Sequence, residues 1–261
     1  MAAEKTLALV LQATPFGETS CIVTLLTREL GKVRALAKGA WRPKGPFDGG
    51  LDLLSTCEVI VLRRVSGGLD LLTEACLLGR FRIGTSLAAF QAAVCLAELT
   101  DAVTADADPH PELFDAVAAC IHALSAFRGS DDVVEEERMR GELAVLQLTG
   151  HGPALDRCAA CQRAVGGPRS AFGMLDGGVL CPSCRRGRRS VVSVSAATLA
   201  SLRRLAEGGH DAQDERAAGH APARPHGEAR AVIDQYLAHL LGRRLRAGHR
   251  SLRLPPVKPR P

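Results

Sequence analysis

Four cysteines stand where their sulfurs could share one ion. Cys158 and Cys161 form one C-x-x-C, Cys181 and Cys184 form another, and 19 residues separate the two pairs. Two residues between thiols let a single tight turn aim both sulfurs at one point, and two such knuckles complete a tetrahedron of thiolates. The spacing therefore predicts one structural Zn2+ per chain. Four protein ligands leave no position for a reactive water, so the ion is expected to brace a shape and not to catalyse. Two disulfides or a thioredoxin-like redox pair are the competing uses of the same spacing. A reducing compartment argues against the first, and the lack of a βαβ context argues against the second. The intervening FGMLDGGVLC reads as a hairpin with Asp176-Gly177-Gly178 as its turn, which would fold the second knuckle back onto the first. Arg157, Arg163, Arg185 and Arg186 flank the thiols and are expected to favour their ionised form.

A second constellation lies in KVRALAKGAWRPKG. On a strand, Lys32, Arg34, Leu36 and Lys38 share one face, and Val33, Ala35 and Ala37 share the other. The loop that follows adds Arg42 and Lys44 around Trp41, the single tryptophan. A basic groove with an aromatic platform is how small barrels hold nucleic-acid strands without reading sequence. Lys32, Arg34, Lys38, Trp41, Arg42 and Lys44 are thus the candidate DNA-binding residues. Trp41 either caps the barrel or offers its ring to a base.

Other chemistry is missing. There is no G-x-x-x-x-G-K-[ST] phosphate loop, no H-E-x-x-H and no G-x-S-x-G elbow. Paired acids such as Asp131-Asp132 read as a wet helix face, and the acids between Glu98 and Glu142 are expected on outward faces. Cys21, Cys57, Cys76, Cys95 and Cys120 each sit beside aliphatic residues and read as buried, reduced core thiols. Nothing in this inventory recommends an enzyme. His210, His220 and His226 are spaced too irregularly for a metal site and read as solvated loop residues.

The elements that must position these groups change period once. Residues 5–78 hold five short apolar or alternating runs, KTLALVLQA, TSCIVTLLTRE, KVRALAKGA, TCEVIVLRR and LDLLTEACLL, separated by Pro/Gly turn signals. Five strands in that length suit a small closed barrel of the OB type, with a two-layer antiparallel sheet as the competing architecture. SLAAFQAAVCLAELTDAV, PELFDAVAACIHALSAF and VVEEERMRGELAVLQLTG then carry apolar residues at helical spacing. After the cysteines, SAATLASLRRLAE and EARAVIDQYLAHLLGRRLR read as helices flanking a polar stretch at 208–227. The expected class is α+β. Its parts are an OB-type barrel over 1–80, a helical domain over 81–157 and 191–254, a four-cysteine zinc module at 158–190, and a tail at 255–261.

Composition sets the frame. Of 261 residues, 46% are hydrophobic and only 3% aromatic, so Ala and Leu must fill the core and helices must pack closely. No apolar run is long enough to cross a membrane, and the first residues lack a secretory pattern, so a cytoplasmic setting is expected. The net charge of +5 conceals zoning. Six basic residues face one acid from Arg28 to Lys44, seven arginines face one acid from Arg157 to Arg189, and twelve acids face three arginines from Glu98 to Glu142. Separate positive zones suggest a polyanionic partner.

In this order, barrel, helices and inserted tetra-cysteine module resemble the RecO family of recombination mediator proteins. The resemblance is carried by FGETSCIVTLLTRELGKVRALAKGA, RMRGELAVLQLTGHGPALDRCAAC, FGMLDGGVLCPSC and YLAHLLGRRLRAGHRSL. It implies an N-terminal OB fold that binds single- and double-stranded DNA, anneals complementary strands and helps load a recombinase. It further implies RecR as partner, the acidic C-terminal tail of single-stranded DNA-binding protein as ligand, and association with the nucleoid. The family's zinc ligands map onto Cys158, Cys161, Cys181 and Cys184. The chain departs from the family pattern at Gly45-Pro46 in the basic loop and at Gly141, where an aromatic is usual. A zinc-stabilised protein-interaction scaffold with incidental DNA contact is the alternative from another class.

Overall fold

In the computed structural model, residues 3–42, 45–47, 49–64, 68–82, 86–207 and 226–247 are described. Lys44, most of the 208–227 stretch with His210 and His220, the His226 side chain and the tail at 255–261 lie outside the described residues.

Five strands close into a barrel: β1 (Ala3–Phe16), β2 (Ser20–Thr27), β3 (Gly31–Ala37), β4 (Thr56–Leu62) and β5 (Asp70–Gly79), in the spatial order β1-β2-β3-β5-β4. Closure rests on two features. β1 is long enough to pair β4 along its first half and β2 along its second, and a register shift between Val10 and Gln12 accompanies the change. β3 meets β5 in parallel, with Ala35 opposite Asp70, while every other pairing in the barrel is antiparallel. The OB-type barrel is thereby realised and the open two-layer sheet is not.

Alternation sorts the β1 side chains into two cores. Ala8 and Val10 join Val23, Leu25, Val33, Ala35, Val59 and Val61 inside the barrel. Leu9 and Leu11 point the other way, and with Leu26 and Leu54 they enter the core of the helical domain. Burying a leucine contributes about 1.5–3 kcal/mol, so this seam makes barrel and helices one packed body. Between β4 and β5, Ile60 faces Glu74 but Val61 faces Leu72, which leaves Thr73 as an extra residue. The shift turns Leu72 and Ala75 inward and leaves Cys76 exposed. Cys76 therefore corrects the expectation of five buried core thiols; Cys21, Cys57, Cys95 and Cys120 are buried.

Three helices follow: α1 (Leu87–Val103), α2 (Pro111–Ala126) and α3 (Asp131–Leu148). Ser86 caps α1 by accepting from the Ala89 N–H, and Asp131 and Asp132 occupy the first turn of α3, where carboxylates favour the helix dipole. Gly141 answers to packing, because a Cβ there would lie 2.7 Å from Cys120 Sγ and 3.2 Å from Leu96 Cδ2. Small residues on α1 and α3 thus let three helices approach where an aromatic-poor sequence has little bulk to fill space. The expectation that the α3 acids face outward is corrected. Glu136 and Glu142 are buried, and the Glu142 carboxylate accepts from Arg138 Nε (3.0 Å) and from Arg230 Nη1 (2.6 Å).

The chain then makes a three-stranded sheet, β7-β6-β8, from β6 (Arg169–Gly173), β7 (Gly178–Leu180) and β8 (Val191–Ser195). The hairpin expected between the cysteine pairs is present, but Gly178 pairs with Gly173, so its turn is Met174–Gly177. α4 (Ala196–Ala206) and α5 (His226–Leu241) complete the helical domain. Glu228 of α5 accepts from Ser195 Oγ (2.6 Å), Thr198 Oγ1 and Arg169 Nη2 (2.8 Å), tying α5 to the start of α4 and to β6. The Ser195 and Thr198 hydroxyls hold its carboxyl down at about 2.

The β2–β3 turn lies directly on the seam. Gly31 has φ +71°, and a Cβ there would sit 2.3 Å from the Asp108 carbonyl oxygen. A side chain would meet both left-handed strain and a backbone clash. Gly31→Ala is therefore expected to cost about 2–4 kcal/mol, read as a lower urea midpoint at unchanged slope.

Candidate metal centre and barrel face

Two local chain reversals build the metal centre. In the first, the Gln162 N–H donates to the Cys158 carbonyl (2.8 Å) and the Cys158 N–H donates to the Arg163 carbonyl (2.8 Å), with Gln162 at φ +61°. In the second, the Arg185 N–H donates to the Cys181 carbonyl (3.0 Å). The two are set side by side because the segment before Cys158 runs along β7: Val179 N donates to Ala154 O and Ala159 N to Val179 O, each at 2.8 Å. Cys181 follows β7 directly, so both knuckles end at the same place.

All four sulfurs lie within 4.8 Å of one another. Cys161 Sγ and Cys181 Sγ are 3.7 Å apart. A metal–sulfur bond of about 2.3 Å gives a tetrahedral edge of about 3.8 Å, whereas a disulfide would need about 2.05 Å. All four cysteines are free thiols, so the disulfide reading fails and the site can hold a metal ion. At Cys158 and Cys181 the ionised form is favoured by backbone and not, as expected, chiefly by the neighbouring arginines. The Cys184 N–H pulls the Cys181 thiol down to about 6. Burial opposes ionisation of Cys158, yet N–H groups of Cys181, Ala160 and Cys161 bring it below the ordinary thiol range. Hydrogen bonding to Cys161 pushes Cys184 up to about 12. Each knuckle is thus a small nest of amides around sulfur.

On the barrel, β3 alternates as the pattern demands: Val33, Ala35 and Ala37 are buried and Arg34 is exposed, as is Lys38 directly after the strand. Lys32 departs from its expected place among them. Its side chain is only 11% exposed, and Nζ donates to the Asp101 and Thr104 carbonyls at 2.8 Å each, with Asp101 Oδ1 at 3.3 Å and Asp106 Oδ1 at 3.6 Å. α1 has no cation in its own last turn, and Lys32 supplies one from the barrel. Arg28 ties the barrel to α2 through a two-pronged pair with Asp115 (2.9 and 3.0 Å). Part of the N-terminal basic zone and part of the acidic zone therefore neutralise each other at the seam.

What stays open is narrower. Arg34, Lys38 and Arg42 are exposed and have no carboxylate partner among the described residues. Trp41 is 46% exposed and its backbone N–H donates to the Thr19 carbonyl, which ties its backbone to the β1–β2 turn. Phe16, 53% exposed, stands at that same turn. A further cation was missed in the sequence. Arg64 follows β4, is exposed, and its backbone N–H donates to Asp70 Oδ1 at 2.9 Å; Asp70 pairs with Ala35, so Arg64 adjoins the middle of β3. The signal was the pair of arginines closing the fourth strand run, and only the parallel β3–β5 pairing gives it meaning.

Comparison with known proteins agrees with both halves. The family described as "Recombination protein O N terminal" matches residues 1–81, and "Recombination protein O C terminal" matches residues 84–249. Proteins named DNA repair protein RecO are similar over most of the chain. That of Rhodopirellula baltica is 41% identical over 203 residues, covering 77% of this chain and 74% of its own. That of Anaeromyxobacter dehalogenans strain 2CP-C is 37% identical over 247 residues, 93% of each chain. That of Myxococcus xanthus is 32% identical over 240 residues, covering 92% and 93%. With both halves matched and such relatives spanning nearly its whole length, the chain belongs to the RecO family of DNA repair proteins.

Proposed function

We propose that this chain binds single- and double-stranded DNA on the outer face of its barrel and anneals complementary strands without catalysing a covalent step. Within that reading it assists recombinase loading together with RecR, meets the acidic tail of single-stranded DNA-binding protein, and works at the nucleoid. The metal is one structural Zn2+ held by Cys158, Cys161, Cys181 and Cys184, since four thiols within 4.8 Å of one another suit that ion. The observation that carries the reading is the open strip of Arg34 on β3 and Lys38 directly after it, continued by Trp41 and Arg42, on a barrel where Arg28, Lys32 and Arg63 are all paired with carboxylates. Cations there neutralise phosphates and release counterions, and an exposed indole offers a stacking face to any base. Screening each strand's charge lowers the repulsion that keeps complements apart.

An Arg34→Glu/Lys38→Glu double variant tests this by fluorescence anisotropy with labelled oligo-dT. Affinity should fall at least about tenfold at low salt, and the salt slope should flatten by about 1.4, at roughly 0.7 for each lost phosphate contact. Lys32→Met, which weakens the barrel–helix seam instead, should leave affinity within about twofold. Unchanged affinity in the double variant would move the binding site off β3.

A further inference from the structure

We propose that the metal module carries a second nucleic-acid surface, made of Arg163, Arg185, Arg186 and Arg189, which holds the phosphate backbone of a complementary strand while the barrel holds the first. The proposal rests on the barrel reading above for its first strand.

The four arginines follow the two knuckles in sequence, and the clustered sulfurs set those knuckles against each other. Arg163 lies two residues after Cys161, Arg185 and Arg186 directly follow Cys184, and Arg189 closes the same loop. Twenty-one residues separate Arg163 from Arg185 in sequence, yet sulfurs within 4.8 Å place the two knuckle ends side by side. All four are exposed and have no carboxylate partner among the described residues. The module's other cations differ. Arg188 pairs with Asp176 (3.2 Å), Arg169 with Glu228 (2.8 Å), and Arg157 donates to the Gln162 carbonyl (3.2 Å). A tetrathiolate–zinc unit carries a formal charge of about −2, so four free guanidiniums still leave the surface positive.

Phosphodiester is the partner these groups fit. All four are arginine, whose planar fork matches phosphate oxygens and keeps its charge at any physiological pH. An acidic peptide would also want an apolar anchor. Among the described residues, no exposed large apolar side chain falls within either knuckle; Leu175, at the hairpin tip, is the nearest in sequence to them. The surface is also separate from the first. The barrel meets the helical domain through β1 on α1 and β2 on α2, whereas the module meets it through β8 on α4 and α5. Two cationic surfaces on one body allow two strands to be held at once, which annealing requires.

The test uses the full chain with arginines 163, 185, 186 and 189 changed to glutamine, after metal content and melting are shown to match wild type. The arginine-to-lysine set at the same positions serves as the charge-retaining version. First-strand affinity for labelled oligo-dT should stay within about threefold. Formation of a ternary complex with a second labelled, non-complementary oligonucleotide, and the annealing rate of complementary strands, should each fall about tenfold or more. The lysine set should keep both within about threefold of wild type. Unchanged second-strand binding and annealing in the glutamine set would overturn the proposal while leaving the barrel reading intact. If instead the barrel double variant keeps full first-strand affinity and the glutamine set loses it, the barrel reading fails and a sequential two-strand role fails with it. Loss confined to binding of a poly-glutamate peptide would also overturn it and make the surface an acidic-protein contact.

Discussion

Cys181→Ser is expected to abolish stoichiometric metal binding and to unfold the two cysteine knuckles locally while the barrel stays intact. The module has little else to hold it. Its own buried cluster is Cys158, Ala171, Leu180 and Cys181, two of whose four members belong to the candidate metal site. Structural zinc in comparable short modules supplies about 10–16 kcal/mol of apparent binding energy, which is also folding energy. Serine keeps the volume but offers a hydroxyl in place of a thiolate, so the tetrahedron loses a corner and the second knuckle its tether. Loss should stop at the inner layer, because Phe172, Met174, Val179 and Val194 are packed in the helical core, where Phe172 meets Tyr236 edge-on at 6.0 Å. Hydrogen exchange should therefore rise at the knuckle amides of Cys158, Gln162 and Arg185, and Trp41 fluorescence on the barrel should not move. Metal retained at one equivalent with an unaltered melting curve would remove Cys181 from the ligand set.

Glu142→Ala should be the most damaging substitution in the helical domain, at about 3–5 kcal/mol. Its carboxylate is wholly buried between Arg138 and Arg230, whose side chains are 12% and 13% exposed. Arg230 also reaches Asp234 Oδ1 (2.7 Å) and Glu135 Oε1 (3.3 Å), so α3 and α5 are joined through one network. Burial disfavours the Arg230 cation, but Glu142 and Asp234 more than reverse this and hold its pKa above the ordinary range. Deleting the central acid leaves two cations desolvated and partly unmatched, a larger effect than the lost bonds themselves. Urea unfolding should show the midpoint fall at constant slope. Removing Arg230 as well should recover part of the loss, so a Glu142→Leu/Arg230→Met cycle should give a positive coupling of at least about 1 kcal/mol. A purely additive pair would mean that the network is not what joins these helices.

Much of this protein was legible before its coordinates. Cysteine spacing is a local matter: the candidate ligand set follows from two turns of four residues, and the structure brings those same four sulfurs together. Period is local too, so the five barrel strands and the five helices among the described residues could be read from alternation and helical spacing, and barrel closure agreed with the turn signals between the runs. Misreadings arose where a distant residue decides. Thr73 shifts β5 by one position and so exposes Cys76, which has the same aliphatic neighbours as the buried thiols. Glu142 sits in an acid-rich helix that looks wet until Arg230, 88 positions later, covers it.

Charge makes the same division plainest. The sequence alone determined that cations gather near β3 and around the cysteines, because residue type fixes charge and alternation fixes the face. Only the tertiary structure decided which of them are free. Lys32 and Arg34 are two residues apart on one face of one strand, yet the α1 C-terminus, some 70 positions away, engulfs Lys32 and leaves Arg34 in solvent. A cation's availability depends on what the fold sets within about 4 Å of it, and that distance is not written in any local stretch of chain.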